Sequence, residues 1–286
     1  MPVIAPAKIN LFLHVGAKRP DGFHALESLV AFTRSGDGLS CSPDEALSLK
    51  IAGPFAAGLS GEGDNLVLRA ARMLAARKGI EARAALTLTK NLPVASGIGG
   101  GSADAAAALR ELNRLWGCGF THAILRDIAA EIGSDVPVCI DSVAAWMEGR
   151  GEQVEPLAHF PELPIVLVNP GVSVPTGPVF AALETRRGTV GLRPQGALSD
   201  VESVLRFLAP TSNDLEAPAL RLAPVIGVVL NALKSQPGAI FTRMSGSGAT
   251  CFSLFGNTAG ADRAASQLAA AHADWWVKST VLSATA

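Results

Sequence analysis

The sequence predicts an α+β protein of two lobes, and three observations predict it. Strand-like and helix-like segments alternate along the 286 residues without the strict strand–helix–strand period of a parallel sheet. Hydrophobic residues make up 49 % and charged ones 17 %, enough apolar surface to bury a sizeable core against the entropy of ordering the chain. The rhythm changes near Ala158-His159-Phe160-Pro161-Glu162-Leu163, which places a boundary between an expected N-terminal domain, 1–160, and a C-terminal one, 161–286.

The elements follow in order. Lys8 to Val15 alternates, with Ile9, Leu11, Leu13 and Val15 on one face and Lys8, Asn10, Phe12 and His14 on the other: a strand with its polar groups on a single side. Further strands are expected at about 25–33, 46–52 and 84–90. Between the last two, Asp64 or Asn65 caps a helix that carries Leu66, Ala70, Met73 and Leu74 on one face and stops at Gly79. The glycine-rich loop Pro93–Gly101 opens a helix from Ser102 to about Trp116. Thr121 caps the next, with Ile124, Leu125, Ile128 and Ile132 inward and Gly133 at its end. Strands follow near 143–147, 152–157 and 164–169. Ser199–Glu202 and Asn213–Glu216 read as capping boxes heading short helices, and another helix covers 224–234. Ala239–Phe255 reads strand, glycine-rich turn, strand, before a helix at 259–271 and a last strand near 275–283.

Composition excludes several function classes. Lys plus Arg is 24 against 25 for Asp plus Glu, without the basic excess or stripe that neutralises nucleic-acid phosphates. Mean hydropathy is positive at +0.32. Yet the longest apolar runs, such as Pro224–Leu233, are half the ~20 residues a membrane span needs. No export or transit segment is recognisable, so a cytoplasmic protein, bacterial rather than plastid, is expected. Cys41, Cys118, Cys139 and Cys251 form no CxxC pair and read as small reduced core residues. No obligate protein partner is indicated.

The loop Pro93-Val94-Ala95-Ser96-Gly97-Ile98-Gly99-Gly100-Gly101-Ser102 carries the strongest chemical signal. Glycines bring backbone N–H groups close to an anion, and a helix start adds unpaired N–H donors and the positive dipole end, so phosphate is the natural guest. Gly101 is followed by Ser102 with no lysine, which excludes a Walker A loop, and the spacing does not fit a dinucleotide fingerprint.

Pro93 to Ala103 resembles the phosphate loop of the GHMP kinases, the superfamily of galactokinase, homoserine kinase, mevalonate kinase and phosphomevalonate kinase. Pro6-Ala7-Lys8-Ile9-Asn10-Leu11 and Ser245-Gly246-Ser247-Gly248-Ala249 resemble its other two signature segments. Arg19-Pro20-Asp21-Gly22-Phe23-His24 and Gly133-Ser134-Asp135-Val136-Pro137 are similar to segments of the member that acts on a cytidine-bearing substrate. The resemblance implies a ribosomal-protein-S5-domain-2-like N-terminal lobe and a ferredoxin-like C-terminal lobe. It also implies phosphoryl transfer from ATP, with Mg2+, to the 2-hydroxyl of a cytidine-diphosphate-linked methylerythritol in non-mevalonate isoprenoid biosynthesis.

Site residues carry over by position. Asp135 matches the catalytic aspartate and Lys8 the lysine beside it. From local sequence alone, Asp135 reads equally as a helix cap and Lys8 as an exposed strand lysine. ATP is expected along Pro93, Val94, Ala95, Ser96, Gly97, Ile98, Gly99, Gly100, Gly101, Ser102 and Ala103, with Asn65, Leu66 and Lys90 around adenine. Asn10 and Thr176 match substrate contacts, Phe23 and Phe180 the aromatics that sandwich cytosine, and His24 the reader of its edge. The family's first aromatic is commonly Tyr; this chain has no Tyr, so Phe23 keeps the stacking and lacks the hydroxyl. No carboxylate cluster names the magnesium ligands, for which Ser102 and Asp104 are the candidates. Two alternatives stay open: another GHMP small-molecule kinase, for mevalonate or homoserine, and a non-catalytic sensor on the same fold.

Overall fold

The computed structural model describes residues 2–20, 22–59, 65–184, 193–194 and 196–283. Asp21, in a motif above, and Asp64, the alternative cap, lie outside the described residues. The chain forms two compact units, one of 1–8, 35–94 and 99–142, the other of 9–34, 95–98 and 143–286. Strands β1 (Val3–Lys18) and β2 (His24–Ser42) contribute to both.

In the first unit the later part of β2 pairs antiparallel with β4 (Ala84–Thr89), from Gly38 opposite Thr89 to Ser42 opposite Ala85. Strand β3 (Leu47–Ala52) runs parallel to β4, which requires a crossover, and α1 (Leu66–Lys78) lies on that connection. Asn65 caps α1 by accepting from the Val67 N–H, and Gly79 ends it in the left-handed conformation. Helices α2 (Gly100–Leu115), α3 (His122–Ile132) and α4 (Val136–Asp141) complete the unit. Ala103 and Ala105–Ala108 are all buried: with side chains this small, α1 and α4 both pack onto α2, and Asp104 is buried with them.

In the second unit the strand order is β2, β10 (Trp276–Ser283), β7 (Leu163–Asn169), β9 (Cys251–Phe255), β8 (Ala239–Met244), all antiparallel. The hairpin β5 (Ala145–Gly149) and β6 (Gln153–Pro156) pairs with β2 at Leu26–Val30. The core gathers Leu13, Val15, Val166, Val168, Ile226, Leu230, Met244 and Phe255. Around it lie α5 (Thr176–Ala181), α6 (Val201–Leu208), α7 (Glu216–Leu222), α8 (Val225–Lys234) and α9 (Thr258–Ala271).

Several expectations are corrected. β1 is buried on both faces from Ala5 to Gly16, Lys8, Asn10 and His14 included, so Lys8 is not an exposed strand lysine. β2 continues past residue 33 to Ser42. α2 starts at Gly100, with Gly99 as its cap, two residues before Ser102. The cap of α6 is Asp200, in a box with Ser203, rather than Ser199 with Glu202. α7 begins at Glu216 after Leu215; Asn213 accepts from the Leu215 N–H with its side-chain oxygen while its amide donates to the carbonyls of Met244 and Gly246, and the Glu216 carboxylate accepts from the Met244 N–H instead of closing a box on Asn213. α5, which Thr176 opens, is not among the expected helices.

Candidate active site

In the first unit, Lys8 and Asp135 form an ion pair, Nζ to Oδ2, at 2.8 Å. The two side chains differ in access: that of Lys8 is 3 % exposed and that of Asp135 is 37 %. Asp135 stands at the N-terminus of α4 and makes no side-chain cap bond, so its carboxylate serves Lys8 and not the helix. The far end of α4 is fixed by Arg110, which donates to the carbonyls of Cys139 (2.8 Å) and Ile140 (3.0 Å). Cys139 donates its thiol to the Asp135 carbonyl at 3.2 Å. Burial pushes that thiol up to about 12, which removes it as a nucleophile.

The start of α2 lies in the same unit. Gly99 caps it at φ +64°, and an added Cβ there would stand 3.2 Å from the Lys8 Cβ. The glycine therefore lets the chain turn into the helix directly against Lys8. No side chain caps the first turn of α2, so its N–H groups are available to an anion. Leu66 reaches within 3.5 Å of where a Gly101 Cβ would be, so the head of α1 adjoins that of α2.

Lys90, expected around adenine, is buried and donates to Asp37 and, at 2.7 Å, to Asp104. Burial works against its charge, but the Asp104 and Asp37 carboxylates outweigh it and raise its pKa. Asp104 is pushed up to about 7, by burial first, against the pull of Lys90 and with the push of Asp37. Its Oδ1 has no protein partner. These residues do not fit a protein-built magnesium site. Asp104 is held by Lys90, Ser102 offers one hydroxyl, and no three His, Cys, Asp or Glu converge among the described residues.

In the second unit the turn Ser245–Gly248 organises the remaining candidates. Ser245 Oγ accepts from the Asn10 N–H (3.1 Å) and donates to the Gly97 carbonyl (3.0 Å). A Cβ on Gly97, at φ +75°, would stand 2.5 Å from the Ser245 carbonyl oxygen. The Asn10 amide donates to Ser28 at 2.8 Å, and Thr176 Oγ1 lies 3.0 Å from Ser247 Oγ. One helical turn beyond Thr176, Phe180 stacks with His24, centroids 5.6 Å apart at 21°. His24 Nδ1 is 3.3 Å from the Gly16 carbonyl. That carbonyl can only accept, so Nδ1 is the protonated nitrogen and Nε2 of the neutral ring is an acceptor. Phe23 is 49 % exposed, with the Arg150 guanidinium 5.3 Å over its ring.

Residues 65–147 match the family model of the GHMP kinases N terminal domain, and 194–274 that of the GHMP kinases C terminal. The chain belongs to the GHMP kinase family. It is 51 % identical to a 4-diphosphocytidyl-2-C-methyl-D-erythritol kinase of Parvibaculum lavamentivorans, over 96 % of this chain and 95 % of that one. To the protein of the same name in Methylobacterium radiotolerans it is 52 % identical, over 97 % of each. A crystal structure of 4-(cytidine 5'-diphospho)-2C-methyl-D-erythritol kinase superposes with a TM-score of 0.79 at 34 % identity, covering 99 % of both chains.

Asp37 and Arg110 are the residues that sequence reasoning missed. Neither belongs to a recognisable motif; each is found only through the groups its side chain holds.

Proposed function

We propose that the chain catalyses ATP-dependent phosphorylation of the 2-hydroxyl of 4-(cytidine 5'-diphospho)-2-C-methyl-D-erythritol. The observation that carries the chemistry is the Lys8–Asp135 pair, a buried ammonium on a carboxylate that solvent and substrate can reach. The Asp135 carboxylate takes the proton of the hydroxyl as its oxygen attacks the γ-phosphorus; the bond from that phosphorus to the bridging oxygen breaks, and ADP leaves. Lys8 holds the carboxylate in place. The N–H groups from Gly99 into the first turn of α2 face the phosphates, with Asn65 and Leu66 toward the nucleoside. Mg2+ is proposed to enter on the phosphates of ATP.

Substrate choice rests on the second unit. Phe23 and Phe180 stack on cytosine, and His24 Nε2 accepts from its exocyclic amino group, the one donor on that edge. Asn10 and Thr176 are the proposed contacts to the rest of the substrate. Mevalonate and homoserine carry no base and would leave these three rings without a partner. The division at residue 160 is proposed as one along the chain, each half carrying one family-model match, whereas the compact units interleave. A cytoplasmic setting is supported by four free cysteines, and no helix among the described residues is long and apolar enough to cross a membrane.

The test is coupled ADP release with diphosphocytidyl-methylerythritol, mevalonate, homoserine and galactose. Turnover is expected with the first alone; turnover with mevalonate or homoserine and not with the first would overturn the reading.

A further inference from the structure

Asp37 takes no part in the chemistry above, yet it is fully buried and holds three donors. Its Oδ1 accepts from the N–H groups of Asn91 (2.5 Å) and Leu92 (2.9 Å), and its Oδ2 from the Lys90 ammonium. The same ammonium donates to Asp104 at 2.7 Å, and the Asn91 amide donates to the Gly36 carbonyl at 3.1 Å.

The positions of these partners give the cluster its meaning. Asn91 and Leu92 are the last residues before Pro93, where the glycine-rich loop begins. Asp104 is the fifth residue of α2, the helix into which that loop runs. Asp37 grips the entrance of the loop directly and its exit through Lys90. The cluster also lies under the first turn of the helix: a Cβ on Gly100 would stand 3.4 Å from Lys90 Nζ and 3.6 Å from Asp37 Oδ2.

Burying two carboxylates around one ammonium is a poor way to gain stability, because three charges leave water and apolar side chains would fill the volume as well. Directional bonds from fixed charges do something apolar packing cannot, which is to hold backbone amides at set positions.

We propose that Asp37 is a positioning residue for the nucleotide, which through Lys90 sets the amides at the head of α2 against the phosphates. The proposal rests on the reading of ATP as phosphoryl donor. It places Lys90 beneath the phosphates and away from the base, so the cluster governs affinity for any nucleotide polyphosphate and is blind to the nucleobase.

The test is titration calorimetry of ADP and GDP against the full chain, independent of turnover. Asp37→Asn keeps an acceptor for the two amides and loses the charge on Lys90; Asp37→Glu keeps the charge and displaces the amides. Both are checked for folding by thermal melting. The expected result is a rise in Kd of about tenfold, equivalent to ~1.4 kcal/mol, by the same factor for ADP and GDP. Affinity for diphosphocytidyl-methylerythritol should be unchanged, which a general loosening of the fold would not spare. Unchanged nucleotide affinity overturns the proposal, and so does a lost preference between ADP and GDP, which would put Lys90 on the base. If both variants are unfolded at 25 °C, Asp37 serves the stability of the first unit, and the positioning role is overturned as well. Wild-type protein that binds neither nucleotide sinks the ATP reading itself, an outcome distinct from all of these.

Discussion

Replacing Asp135 by Asn preserves the side-chain shape and removes both the charge and the basicity of the group. Two consequences can be sized from the structure. The first concerns stability. Lys8 is buried and its ammonium sits 2.8 Å from the lost charge, so the variant leaves a buried cation facing a neutral amide. The amide oxygen can still accept from it, which limits the loss to about 1–3 kcal/mol, the cost of an impaired buried polar group. Asp135 makes no cap bond, so α4 itself is not weakened. The second concerns rate. Loss of a positioned general base costs roughly 10²–10⁴ in turnover, or ~2.7–5.5 kcal/mol of barrier. Coupled ADP release, normalised to the folded fraction from a melting curve, separates the two. KM for the hydroxyl substrate should change little, because an amide still hydrogen-bonds to it. A folded variant that keeps more than about a tenth of its turnover would refute the general-base role at this scale.

Three further outcomes follow from the same geometry. Gly99→Val forces a β-branched residue into φ +64° with its Cβ 3.2 Å from Lys8; the backbone strain alone is ~1–2 kcal/mol, and ATP affinity measured by calorimetry should fall at least correspondingly while the protein stays folded. His24→Ala removes an edge acceptor and should raise KM for the cytidine substrate by about 5–150-fold, matching ~1–3 kcal/mol, with KM for ATP unmoved; equal effects would make His24 structural. Asp104→Asn tests the raised carboxyl. A folded pKa near 7 against an ordinary value of 3.8 means that its contribution to stability is full below pH 3.8 and lost as pH rises through 7. The neutral variant escapes that loss, so its Tm relative to wild type should rise between about pH 4 and about pH 7 and level off above; a constant difference across that window contradicts the assignment.

Legibility in the sequence followed physical locality. The glycine loop at the head of α2, the caps at Asn65 and Thr121 and the strand–turn–strand around Ser245–Gly248 were legible, because each is decided by a few neighbouring residues. The burial of β1 was not, since a period of two says that faces differ and leaves open what covers each. Here Ser28 and Ser245 meet the polar side and its backbone. The continuation of β2 was masked by Gly36-Asp37-Gly38, which reads as a turn. Gly36 is there because a Cβ would collide with the Ala5 carbonyl of β1, a contact 31 positions away in sequence. α5 hid behind Pro175, Gly177 and Pro178, although proline is tolerated at a cap and within a first turn. Asp37 and Arg110 were illegible for the same reason: their partners lie some 30 to 55 residues distant.

Lys8 and Lys90 show why composition and spacing cannot assign chemistry on their own. Both are strand-associated lysines, both are 2 % exposed, and both contact carboxylates. They differ in what those carboxylates can reach. Asp37 is fully buried and Asp104 nearly so, so the Lys90 ammonium is held between two buried carboxylates and is already committed to them. Asp135 keeps more than a third of its side chain exposed while one oxygen rests on Lys8, so a hydroxyl can approach a carboxylate whose orientation is already set. A buried ammonium on an accessible carboxylate can take part in a reaction, and a buried ammonium between two buried carboxylates can only hold a shape. On the proposed reading the same residue type at similar depth serves catalysis at position 8 and architecture at position 90, and the exposure of the partner is what separates the two.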